Sequence, residues 1–195
     1  MTKSWILSFV SAGLVVLSVP AMGAAAAKCC VPGKPTAASY TWNFKGEANA
    51  IFKNVQNDAV LARSHADQLQ AENRFDQIDW QVQEVQLQAL KHDIDQMGAG
   101  LCRLEVIHTA LAPWQQREVR RIANVLPLMA DNTTDAINFM NAHQDELWLP
   151  AYQRYSQNLY AESSRLAHSS REAVAYAHVS RKYRNLQREL APSAS

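Results

Sequence analysis

The chain lacks most of the features that announce a chemistry. It has only three cysteines, Cys29, Cys30 and Cys102, with no C-x-x-C pair and no C-x-x-C-H. That excludes the usual thioredoxin-type and c-type haem signatures. No H-E-x-x-H, glycine-rich phosphate loop or nucleophile elbow occurs, so the common motifs of zinc hydrolysis, nucleotide binding and acyl transfer are missing. Net charge is scarce too. Nineteen basic residues against 18 acidic ones leave a formal charge of +1, whereas nucleic-acid binders carry a marked basic excess. The C-terminal run Arg181, Lys182, Arg184 and Arg188 is locally basic, which at helical spacing reads as a solvated face, with an anionic-membrane or phosphate patch as the alternative.

What is present begins with an export signal. Lys3 supplies a positive start, and Ile6 to Val19 is an apolar run too short for an ordinary membrane span. Pro20 breaks it, and Ala21, Gly23 and Ala24 to Ala27 offer an A-x-A cleavage site. Residues 1–27 are therefore expected to be a signal peptide, which places the protein in the periplasm or outside the cell with no integral span after cleavage. Lys28 stands where a lipobox needs a small residue, which argues against lipidation of Cys29. Residues 28–42, with Pro32, Gly33 and Pro35, read as an extended leader. In an oxidising compartment a bridge from Cys29 or Cys30 to Cys102 would tie this leader onto the second helix; free thiols are the alternative.

The remainder, residues 43–190, carries helical periodicity throughout, before a disordered tail at 191–195. The first helix (about 43–73) has the stripe Phe52, Val55, Ala59, Ala62, Ala66 and Leu69. The second (about 75–111) has a seam at Leu87, Leu90, Ile94, Met97, Leu101, Leu104, His108 and Leu111. Its earlier stripe, Phe75, Ile78, Val82 and Val85, is rotated away and predicts a stutter. The third (about 113–143) places Val119, Ile122, Leu126, Met129, Ala136, Ile137 and Met140 inward, with Pro127 inside it as a kink. The fourth (about 150–190) carries Tyr152, Tyr155, Leu159, Glu162, Leu166, Ala173, Tyr176, Ala177, Tyr183 and Leu190. Four long amphipathic helices joined by short breaks predict an all-α fold, an elongated antiparallel up-down-up-down four-helix bundle with coiled-coil-like seams.

Folding the chain up this way sets Gly98 and Gly100 level with Leu126 and Pro127, and with Ala48, Ala50, Ser169 and Ser170. Small or helix-disturbing residues thus meet at one height. Two readings follow: a tight waist in which glycine admits the proline kink, or a small cavity beside Met97 and Met129.

Candidate ligands are few. Glu105-Val106-Ile107-His108 is a Glu-x-x-His of the kind that holds di-metal centres in ferritin-like bundles, but that architecture needs a second copy, and none is present. His65 and His143 fall at a similar height and form a weak candidate metal pair. His168 and His178 lie off the apolar stripe. The expectation is a protein without cofactor, with a metal- or haem-binding bundle as the alternative.

Leu111-Ala112-Pro113-Trp114-Gln115, continuing Gln116-Arg117-Glu118, is similar to the L-T-x-x-Q helix starts of the Spy/CpxP group of periplasmic helical chaperones and stress sensors. Ala112 replaces the threonine, and no second copy occurs. The resemblance implies a chaperone-like or binding role. The sequence as a whole therefore points to an exported, non-enzymatic bundle that acts by binding a protein partner as an adaptor, chaperone-like or stress-linked protein. It points to no nucleic-acid partner and at most a weak association with the envelope surface.

Overall fold

A strict 4-3 spacing of apolar residues needs only one flat neighbour to become a buried seam, and α1 (Phe44–Glu72) is the simplest case. Ala48, Phe52, Val55, Ala59, Ala62, Ala66 and Leu69 are all buried. A computed structural model describes residues 44–74 and 78–190. It holds four α-helices and no strand among the described residues: α1, α2 (Trp80–Val106), α3 (Pro113–Ala142) and α4 (Pro150–Leu190). The expected signal peptide, leader and tail, with Phe75, Cys29 and Cys30, lie outside the described residues.

The helices close into a ring in which α1 packs on α2 and α4, and α3 packs on the same two. Cross-helix contacts run in opposite numerical senses, as antiparallel neighbours require. Glu47 pairs with Arg103 and His65 meets Gln86 between α1 and α2. Asn73 meets Ser156, and Arg63 lies over the Tyr160 ring, between α1 and α4. Phe139 stacks near Tyr152, and Asn132 meets Glu162, between α3 and α4.

The second helix differs from expectation at both ends. It starts at Trp80, where the Asp79 carboxylate accepts from the Gln81 N–H at 2.9 Å as an N-cap. It stops at Val106, and the chain passes through a 3₁₀ turn at His108–Ala110 before α3. There is also no stutter. Val82 and Val85 are 37 % and 64 % exposed, while Gln83 is fully buried. The seam therefore continues unbroken from half-buried Trp80 through Gln83, Leu87, Leu90, Ile94, Met97, Leu101 and Leu104. Gln83 is held inside by its Oε1, which accepts from the buried Tyr152 hydroxyl at 2.8 Å, while its Nε2 is buried without a hydrogen-bond partner; one cross-helix polar contact thus replaces a rotation of the whole helix.

The start of α3 is half of a capping box. The Ala112 N–H donates to Gln115 Oε1 at 2.9 Å, but alanine offers no oxygen in return, so the reciprocal bond of the L-T-x-x-Q pattern is absent. Gln115 Nε2 instead donates to Asn49 Oδ1 of α1. Gln116 Nε2 donates to the carbonyls of His108 and Leu111, fastening the 3₁₀ turn to α3. Further along, α3 passes Pro127 without a break, and the ring sits on the exposed side.

The seam of α4 was only partly visible in its apolar residues. Between Tyr152, Leu159, Leu166 and Ala173 lie Ser156, Ser163 and Ser170, all buried and spaced by seven. Each hydroxyl turns back onto a carbonyl of its own helix, which leaves a small, satisfied side chain at the interface. Small residues thus line both α1 and α4 where they meet, a composition that allows close interaxial approach. Tyr155, Glu162 and Tyr176 stand one position off this seam and turn towards α3, near Phe139, Asn132 and Trp114.

Candidate binding surface

At 41 residues α4 is longer than its 27- to 30-residue neighbours, and the excess projects beyond one end of the bundle. That end is marked by Trp114, whose ring lies 5.9 Å from Phe52 and 5.2 Å from Tyr176. Beyond Ala177 no residue of α4 is buried. The overhang is nevertheless patterned. Tyr176, Val179, Tyr183, Leu186 and Leu190 follow each other at 3-4-3-4 spacing and are 45–81 % exposed. This is a second a/d seam. It begins where the bundle seam ends at Ala177, shifted by one residue and so rotated by about 100°. Arg181 and Arg188 fall on the opposite face, Arg184 is well round from the seam, and Lys182 and Glu189 flank one side of it; all are exposed.

The other expected site residues are placed as follows. Glu105 is exposed in the last turn of α2, and His108 belongs to the 3₁₀ turn. The Glu-x-x-His motif therefore straddles a helix end, and its two side chains do not share an inward helical face. His65 and His143 are not brought together. His65 is bonded on α2, while His143 Nδ1 meets Glu146 Oε2 at 3.0 Å within its own turn. Among the described residues no group of three or more His, Cys, Asp or Glu side chains converges as a metal site would require. Met97 and Met129 are fully buried in the core.

The glycine layer separates into two different environments. A Cβ on Gly100 would come within 3.2 and 3.3 Å of the Ile51 and Val55 methyls, so α1 rests directly on it. A Cβ on Gly98 would meet only Leu126 Cδ2, at 3.9 Å. With Pro127 exposed, it is Leu126 and not the proline bulge that faces Gly98. A cleft of about 290 Å³ opens outside this layer between α1 and α2, lined by Ile51, Val55, Asp58, Gln96 and Gly100 among others. Cys102, half-buried two residues on, is disulfide-bonded.

Next to this cleft lies a polar cluster the sequence did not reveal. His65 Nδ1 is 2.9 Å from Gln86 Oε1, and its Nε2 is 3.7 Å from Asp93 Oδ2. Asp93 is buried, and that burial raises its carboxyl above the usual range, more than His65 and His92 pull it down; Asp58 adds a further upward push. Asp58 is itself raised by burial, with His92 opposing. A carboxyl with a raised folded pKa binds more protons folded than unfolded, so its contribution to stability is lost as pH rises through that pKa. Asp93→Asn is therefore expected to stabilise the protein at pH 7, with the gain shrinking as pH falls towards about 4. Urea unfolding of both forms across this range checks it.

Comparison with protein-family models, with curated proteins and with solved structures finds no match. The class is thus defined by the fold alone, an all-helical four-helix bundle. No helix among the described residues is long and apolar enough to cross a membrane.

Proposed function

We propose that this is an exported, non-enzymatic bundle that works in the periplasm or cell envelope by holding a protein partner, in an adaptor or chaperone-like role. One observation carries the reading: the exposed apolar seam of the α4 overhang, from Tyr176 to Leu190. Coiled-coil spacing is a geometry for pairing with another helix, and a solvated helix end has no use for it. The disulfide at Cys102 supports an oxidising compartment, in line with the signal-like N-terminus.

Photo-crosslinking in intact cells tests the proposal. A photoreactive residue at Val179 or Leu186 should yield an adduct with a polypeptide, and one at Arg181, on the opposite face, should not. Equal yields on both faces, or none on either, would sink it.

A further inference from the structure

Resting on that reading, we infer that the overhang of α4 pairs with the same segment of a second copy, as a two-fold antiparallel helix pair. The register follows from the seam. In an antiparallel pair each a position faces a d position. Tyr183 then packs on Leu186 of the second copy, and Val179 on Leu190 of the second copy. Each contact occurs twice by symmetry. The same register brings Lys182 beside Glu189 of the second copy, again twice, while Ser180 and Gln187 flank the other side without charge. The only acidic residue of the overhang, Glu189, is thus matched to the one basic residue that flanks the seam. A parallel pair would lose this match. It would also drive one bundle into the other, because the seam continues the α3-facing side of α4, over Trp114.

A lipid surface fits less well, because it takes a broad apolar face bordered by cations; this seam is narrow, and three of its four cations point away from it. The pair is short. It overlaps by about 20 Å of helix and buries less than the roughly 1,600 Å² of a standard stable interface. A reversible, concentration-dependent dimer is therefore expected.

Sedimentation equilibrium of the exported chain, disulfide intact, tests this. Leu186 is exposed on the overhang, so Leu186→Asp should leave thermal unfolding unchanged at dilutions where both chains are monomeric, and should keep the chain monomeric at concentrations where the parent dimerises. Lys182→Glu and Glu189→Lys should each weaken the dimer by roughly tenfold, from two lost pairs and two repulsions. The double swap, which restores opposite charges, should recover it. A parent that stays monomeric at all concentrations, or singles and double that weaken alike, overturns the inference. So does monomer binding to anionic vesicles through the seam. Crosslinks from Val179 that reach only a different polypeptide, or residues 28–43 of the same chain, also overturn it; the first of these leaves the partner-binding reading standing.

Discussion

Loss of the disulfide at Cys102, by reduction or by Cys102→Ser, is expected to lower the unfolding free energy by about 4 kcal/mol. The other cysteines of the chain are Cys29 and Cys30, so the proposed bridge closes a loop of roughly 70 residues, and loop length sets the entropy removed from the unfolded chain. On the folded side the bond sits one residue before Arg103, whose side chain pairs with Glu47 on α1. Covalent and ionic ties thus fasten the same end of α2. Urea unfolding with and without reductant measures the effect, and the reduced form should also show a larger m-value because its unfolded state expands. Thiol titration of the denatured chain should find one free thiol before reduction and three after it. An unchanged midpoint would show that the bond constrains neither state.

The second large effect belongs to Gly98. Because a Cβ there meets Leu126 at an ordinary 3.9 Å, Gly98→Ala should stabilise the protein by about 1 kcal/mol through helix propensity and a less free unfolded chain. Gly98→Leu should reverse the sign and cost about 1–3 kcal/mol, since the extra carbons have only the space already held by Leu126. At Gly100 the added methyl presses on Ile51 and Val55, so Gly100→Ala should lack the gain seen at Gly98. Denaturant midpoints for the three variants measure the set. Stabilisation by Gly98→Leu would show that the layer holds unfilled space.

Much of the fold was legible, and the reasons for the gaps are specific. The α1 seam could be read from Phe52 to Leu69 because every member is apolar and the 4-3 spacing never slips, and buried Ala48 extends it by one more turn. From Leu87 to Leu104 the same holds for α2, whereas His108 and Leu111 fall beyond its end. At Val82 and Val85 hydrophobicity does not imply burial, because Gln83 occupies the seam by virtue of a hydroxyl on a helix distant in sequence. In α4 the buried serines hid the seam for a related reason: their polarity is satisfied locally, which composition does not reveal. The candidate site was half legible. Tyr176, Tyr183 and Leu190 stand out as apolar and by spacing alone extend the bundle stripe of α4, yet all three are exposed. Only the one-residue phase shift after Ala177, with Val179 and Leu186 filling the gaps, separates the two seams. Glu105 and His108 fit a spacing rule, yet a helix end falls between them.

The overhang of α4 also has a consequence for how a partner meets it. Cut free, a segment from Ala177 to Leu190 would be mostly unfolded in water, because starting a helix is far less favourable than extending one. Joined to the packed turns that end at Ala177, it needs no start. The bundle acts as a permanent nucleus, so the seam can be presented already wound, and a partner would contribute little of the ordering entropy that a disordered recognition segment demands on binding.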